Sequence, residues 1–277
     1  MCPAQTSLSS GQPFLNNLSF AGPVWLASDI HLGADNPATT ESFFKFLDQA
    51  SAHAGALLLL GDIFDVWIGD DWAVNPPPWL AKALDRLQAV TAHCPLWLGR
   101  GNRDFLMGQA LADRLGAKLL PEQVTVDVRG TKALLAHGDE FCTDDVGYQR
   151  FRQIVRRPDV QRLFLSLPLS WRARIALRAR IKSQQTQKKM SDLAVQASPA
   201  AMVKALSPQQ VKTVVHGHTH QPRHDKFEID RYRFERWVLP DWESDHLEKG
   251  QAPRGGWMVI DERGISFFSL NGQQLSM

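Results

Sequence analysis

The amino-acid sequence predicts an α/β fold, and three observations carry that prediction. Short apolar runs recur along the chain, "PVWLAS", "ALLLL", "PLWLGR", "KALLA" and "TVV", each of a length suited to a strand buried on both faces. Segments with helical spacing lie between several of them. Each run ends in glycine or in polar, ligand-type residues, and in open α/β sheets ligands collect outside the carboxyl ends of the strands.

Residues 1–22 have no basic start and no apolar run of secretory length, so they read as a flexible leader before a domain over 23–277. "PVWLAS" runs into "DIHLG". The segment "TTESFFKFLDQASAH" opens with threonines and an acid and carries Phe43, Phe44 and Leu47 at helical spacing. "ALLLL" then runs into "GDIFDVWIGDD", which sets Asp62, Asp65, Asp70 and Asp71 within ten positions. A buried strand feeding repelling charges makes sense only if something strongly positive sits at its end. "PPPWLAKALDRLQAVTAH" starts on prolines suited to a first helical turn. "PLWLGR" leads to "GNRD", and "KALLA" to "HGDE". Residues 145–206 differ in character, being rich in arginine, with "RLFLSLPLSWRARIALRARIK" mixing apolar and basic groups and Pro158 and Pro168 dividing it into short helices. This stretch is predicted as an inserted helical subdomain, because "VVHGHTH" afterwards resumes the strand-then-site pattern.

A chain of 277 residues, 44% hydrophobic, can bury a substantial core. The formal charge of +2 hides an asymmetry: residues 150–189 hold 12 Lys and Arg against Asp159 alone, leaving 19 bases against 28 acids elsewhere. Cys2, Cys94 and Cys142 are odd in number and widely spread, which suits neither a disulfide framework nor a thiolate metal site and points to a reducing cytoplasm. No segment has the roughly 18 apolar residues of a membrane span, so any membrane association is expected to be peripheral.

Chemistry concentrates at the strand ends. Asp29 and His31 are one residue apart, as are His216 and His218, while Asp62, Asn102 and His137 each follow a separate apolar run. Seven oxygen and nitrogen donors without sulfur suit divalent Mn, Fe or Zn, and two ions could be held. Asp62 can bridge both ions, which accounts for its burial; Asp65, Asp70 and Asp71 read as supporting or loop-capping groups. A "GD" after a strand is by itself usually a turn, but the three alternate histidines of "HGHTH" are rarely core filler.

The ordered set D-x-H, GD, GN, H and G-H-x-H resembles the calcineurin-like metallophosphoesterase family. The resemblance implies a four-layer αββα sandwich with a dinuclear site at the strand ends. One metal would be held by Asp29, His31, Asp62 and His218, the other by Asp62, Asn102, His137 and His216. Two such cations, about 3.5–4 Å apart, activate a water and neutralise charge building on phosphoryl oxygens. Asp62, Asn102, Arg103 and His137 are the residues this implies for catalysis, and no protein nucleophile is needed.

Where many family members have His after GN, this chain has Arg103, which cannot act as an acid at neutral pH but can clamp a phosphate bidentately. The plainer reading pairs Arg103 with Asp104 or another carboxylate. The strings "SDIHLG", "GDIFDVWIGDD", "GNRDFLMG", "HGDEFCTDDVGYQRFR" and "VVHGHTHQP" are similar to the UDP-2,3-diacylglucosamine pyrophosphatases of lipid A biosynthesis, from about residue 24 to 222. That branch implies release of UMP and 2,3-diacylglucosamine 1-phosphate, with Mn2+ as the usual metal. By the same resemblance Asn102, Arg103, Asp145 and Tyr148 contact substrate, His216 touches substrate as well as metal, and a Ser and a Lys of the insert fall around Ser183 and Lys188 or Lys189. His220 is read as a neighbour of the ligands, without an assigned role.

Leu163, Phe164, Leu165, Leu167, Leu169 and Trp171 beside dense arginine suit an interfacial helix with an apolar face and a cationic rim. Packing of the same residues onto the sandwich is the plainer alternative. The implied partner is a UDP-linked diacylated glucosamine lipid, met by peripheral contact with the cytoplasmic face of the inner membrane, with no protein partner evident. One rival is a phosphodiesterase or phosphatase for a soluble nucleotide or phosphoester. The other is a nucleic-acid-binding module, which the basic insert favours but which leaves the donor set without purpose, so no nucleic acid is expected.

Overall fold

The computed structural model describes residues 17–187 and 196–276, with the backbone alone for 182–187. Four parallel strands, β2 (Val24–Ala27), β3 (Ala56–Leu59), β4 (Leu96–Leu98) and β5 (Lys118–Leu119), lie side by side. Three antiparallel strands, β11 (Gly256–Asp261), β12 (Gly264–Ser269) and β13 (Gln274–Leu275), extend them into a seven-stranded sheet ordered β13-β12-β11-β2-β3-β4-β5.

The leucine run is apolar throughout because both faces of β3 are covered. Leu57 and Leu59 pack under helices α1 (Pro37–His53) and α2 (Pro78–Thr91), while Leu58 and Leu60 face the second sheet. α3 (Gln109–Leu115) completes the outer helical layer through Leu111 and Leu115. Both predicted helices thus form, and prolines stand in the first turn of each.

The second sheet has the order β1-β6-β7-β8-β10-β9 and comprises β1 (Asn17–Phe20), β6 (Gln123–Val128), β7 (Thr131–Ala136), β8 (Thr213–His216), β9 (Arg223–Ile229) and β10 (Tyr232–Val238). Its inner residues, among them Val124, Val126, Leu135 and Val215, meet Leu26, Leu58, Met258 and Ile260 of the first sheet. Helix α7 (Pro199–Leu206) covers the outer face through Met202 and Leu206 against Leu134, Val214 and Phe234. The layers therefore run helix, sheet, sheet, helix, as the family resemblance implies.

Two boundaries differ from the sequence reading. The segment 17–20, assigned there to the leader, pairs in parallel with β6, because Leu18 and Phe20 pack onto the inter-sheet core. Within 145–206, α4 (Val146–Val155), α5 (Pro158–Leu165) and α6 (Leu169–Gln187) bury few apolar groups, whereas α7 belongs to the outer layer. Pro158 opens α5 and Pro168 immediately precedes α6, as expected of helix starts. Phe151, Ile154, Leu163, Trp171 and Leu177 on these helices are exposed. Among the described residues, no helix is long and apolar enough to cross a membrane.

Candidate metal centre

The carboxyl ends of β2, β3, β4, β7 and β8 point to one place. At the tips the backbone itself is unusual: Asp29 (φ 56°), His31 (54°), Asp62 (51°), His218 (65°) and His220 (54°) all adopt the left-handed region that L-residues avoid. Such conformations persist only where the surroundings impose them, and they cluster at functional sites. Two glycines make room: a Cβ on Gly101 would overlap Asp62 Oδ1, and one on Gly217 would overlap Asp29 Oδ2.

The side chains form two adjoining groups. Asp29 Oδ1 lies 3.3 Å from His220 Nε2, and His220 Nε2 is 3.5 Å from His31 Nε2. On the other side, Asn102 Oδ1 lies 3.1 Å from His137 Nε2 and 2.9 Å from His218 Nδ1. Asp62 sits between the groups, with Oδ2 3.8 Å from His31 Nδ1 and Oδ1 3.7 Å from His137 Nε2. Donor atoms of Asp29, His31 and His220, and likewise of Asp29, Asp62 and His137, lie within 4.8 Å of one another.

The donor set fits divalent cations. His31 Nδ1 is buried without a hydrogen-bond partner, a cost that a cation would remove. Burial, reinforced by Asp104 and Asp29 and opposed by His137, pushes the Asp62 carboxyl up to about 7. Burial also lowers His218 to about 3 and holds His31 well below the usual imidazole value, with Arg103 adding to the effect on His31. Imidazoles kept neutral in this way present lone pairs for metal. Burial works against ionisation of Asp29, yet the hydrogen bond and charge of His220 outweigh it and hold Asp29 below the carboxylate range. His137 shows the reverse balance: burial alone would lower it, and the surrounding carboxylates, led by Asp62, raise it.

One expected donor stands apart from these two groups. His216 lies within β8, fully buried, with Nδ1 2.8 Å from Gly217 O and its ring edge-on to Phe141. It enters neither donor group among the described residues; His220 stands with Asp29 and His31 instead. The strand continues through His216, and only the following turn, closed by Thr219 N to Gly217 O at 2.7 Å, swings His218 and His220 into the site. The signal was present in the sequence, since the G-H-x-H string begins at Gly217.

A second residue lacked an expected role. Asp104, fully buried, accepts from Gly101 N (2.7 Å), Ile63 N (2.7 Å) and Asp62 N (3.2 Å), so one carboxylate ties the turn bearing Asp62 to the turn bearing Asn102. Arg103 is therefore not its partner. Arg103 Nη1 donates to Asp65 Oδ1 at 3.1 Å, and its Nε lies 3.6 Å from Asp62 Oδ2.

The family model for calcineurin-like phosphoesterases matches residues 22–222, which span every donor named above. The chain belongs to the calcineurin-like phosphoesterase family. Within that family it is 49% identical over 256 residues to a UDP-2,3-diacylglucosamine hydrolase of Bordetella parapertussis, covering 92% of this chain and 98% of the relative. It is 43% identical to the protein of that name from Serratia proteamaculans, over 80% of this chain and 90% of the relative, and 36% identical to that from Chromobacterium violaceum, over 86% and 94%.

For this phosphoesterase the residues expected at the substrate are placed as follows. Asp145 caps α4, accepting from Tyr148 N at 2.8 Å. Tyr148 donates its hydroxyl to Asp139 Oδ2 at 2.5 Å, and its ring stacks 6.2 Å from that of His218. Ser183 lies on α6, whose backbone alone is described there, and Lys188 and Lys189 lie outside the described residues. The acids of the opening stretch are accounted for: Asp65 pairs with Arg103 and Arg180, Asp70 caps the start of α3 at Gly108 N and Leu111 N, and Asp71 pairs with Arg172.

Proposed function

We propose that this chain hydrolyses the diphosphate of UDP-2,3-diacylglucosamine, giving UMP and 2,3-diacylglucosamine 1-phosphate, a step of lipid A biosynthesis. The observation that carries the proposal is the convergence of Asp29, His31, Asp62, Asn102, His137, His218 and His220 beside Arg103 in a chain 49% identical to a protein of that activity. Water adds its oxygen to the phosphorus next to uridine, and the bond to the bridging oxygen breaks. The bridging oxygen leaves on the sugar-linked phosphate.

Asp29, His31, Asp62 and His220 would hold one divalent ion, and Asp62, Asn102, His137 and His218 the other. When bound, the pair lowers the pKa of the attacking water and offsets phosphoryl charge; manganese suits this donor mixture. The rest falls to the protein. Asp104 keeps Asp62 and Asn102 in register by holding both turns. Asp65 fixes the plane of the Arg103 guanidinium through Nη1, so that the fork can grip the leaving phosphate, which needs no proton. By the family resemblance Asp145 and Tyr148 would contact the glucosamine and its phosphate, while the contacts expected at Ser183 and at Lys188 or Lys189 fall on side chains outside the described residues. The exposed apolar and basic groups of α4–α6 support peripheral contact with the cytoplasmic face of the inner membrane, where the acyl chains reside.

The test is direct. Protein loaded with Mn2+ is expected to release UMP from UDP-2,3-diacylglucosamine and to act far more slowly on bis-p-nitrophenyl phosphate. The Asp62→Ala variant is expected to stay folded and turn over neither. The reverse substrate order would assign the site to soluble phosphoesters.

A further inference from the structure

The segment 239–254 follows β10 and lies across the strand ends without an assigned role. Its backbone is stitched to the donor tips: Leu239 N donates to His216 O at 2.7 Å and Trp242 N to Asp29 O at 3.0 Å. Glu243 and Arg254 exchange two backbone hydrogen bonds of 3.0 Å and close the segment into a loop. Asp245 then caps α1, accepting from Ala38 N and Thr39 N at 2.8 Å each. The segment is thus tied at both ends and in the middle.

Asp241 is the one carboxylate of this strap that faces the donors. It is 4% exposed, and both its oxygens are gripped by Arg254, with Nε 3.0 and 2.9 Å away and Nη2 2.8 Å from Oδ2. Its Oδ2 lies 3.7 Å from His220 Nδ1, on the ring edge opposite the Nε2 that faces Asp29 and His31. An imidazole that turns Nε2 to a cation must carry its N–H on Nδ1, and an outer carboxylate on that side sets ring orientation and tautomer.

We propose that Asp241, held by Arg254, is a positioning residue that aims His220 Nε2 into the ion site formed with Asp29 and His31. The inference rests on the two-ion reading above and deepens it. The strap then has a reason to cross the strand ends, because it braces the third histidine of "HGHTH", which otherwise stands at the rim with its side chain 38% exposed.

The experiment titrates Mn2+ into metal-free protein, reading free Mn2+ by electron paramagnetic resonance, for wild type, Asp241→Ala, Asp241→Asn and Arg254→Ala. Wild type is expected to bind two ions. Asp241→Ala should keep one site and weaken the other by roughly 10–100-fold, in line with losses on removing outer partners of metal ligands. Asp241→Asn, whose amide oxygen still accepts, should stay within about threefold of wild type. Arg254→Ala, altering a half-exposed side chain, should weaken the same site by a smaller factor. At low Mn2+ the Asp241→Ala enzyme should lose kcat with little change in substrate KM, and added Mn2+ should restore it. Two ions bound with wild-type affinity by Asp241→Ala, even with a lower Tm, would overturn the proposal and leave Asp241 a strut of the fold. If Asp241→Ala does not fold, unchanged affinity in Arg254→Ala overturns it equally. Fewer than two ions in wild type would instead defeat the two-ion reading itself.

Discussion

Replacing Asp104 should damage this protein more than its silence in the chemistry suggests. Its fully buried carboxylate accepts four backbone N–H groups, from Gly101, Ile63 and Asp62 at 2.7, 2.7 and 3.2 Å and from Phe64 at a longer 3.4 Å. Alanine leaves the three close donors, and the more distant Phe64 N–H, without this acceptor. At about 1–3 kcal/mol for each orphaned group, and allowing for partial relaxation, the loss comes to about 3–6 kcal/mol. A typical domain has only about 5–15 kcal/mol to lose. Asparagine keeps one acceptor oxygen but turns an amide N–H toward the remaining donors, so about half that loss is expected. Urea unfolding in EDTA, followed by the fluorescence of the nine tryptophans, measures both variants. The same substitutions should weaken Mn2+ binding, because the turns bearing Asp62 and Asn102 lose their common tie. A loss below about 1 kcal/mol for Asp104→Ala would refute the reasoning, since the unpaired donors must then have found other partners.

Other outcomes follow from the same geometry. Without metal, Asp62 has a folded-state pKa of about 7, above its unfolded value, so its contribution to stability is full at low pH and is lost as pH rises through 7. Metal-free Asp62→Asn should therefore melt higher than metal-free wild type at pH 8, with the gap closing toward pH 5; a constant gap would count against the raised pKa. For the same reason, Mn2+ loading should release more protons at pH 6 than at pH 8, read from the buffer dependence of the calorimetric heat, and pH-independent release would contradict it. Arg172 is only 2% exposed and donates to Ile68 O, to Leu167 O at 2.9 Å and to Asp71 Oδ1 at 2.8 Å. Arg172→Ala should free the start of α6, so subtilisin should cut within 146–187 several-fold faster while the sheets stay intact; unchanged cleavage would show that the helices are held elsewhere.

The strands that carry the donors were legible because they are central and parallel. Buried on both faces, β2, β3, β4 and β8 read as continuous apolar runs, and each ends where a ligand-type residue begins. The hairpin of β9 and β10 was not legible in this way. Arg223, His224 and Asp225 at its start are all half-buried, only Lys226 and Glu228 alternate with half-buried Phe227 and Ile229, and cross-strand ion pairs such as Arg236 with Asp225 stand where apolar contrast would have marked a strand. The exchange of His216 for His220 has a related cause. Three histidines in five positions look alike by composition, and the register of the G-H-x-H string from Gly217 separates the first, which completes a strand, from the other two, which adopt left-handed backbone. Asp104 was missed because its partners are main-chain groups, which leave no trace in the pattern of side chains.

The five donors held at positive φ make the constellation non-portable. Copying Asp, His and Asn letters onto strand ends of another scaffold would supply the ligands but leave them aimed along ordinary extended backbone, diverging instead of converging. A selection that rewards folding alone would drift the other way, toward glycine at positions 29, 31, 62, 218 and 220, where a missing Cβ relieves the chain. Such a protein would be sturdier and inert.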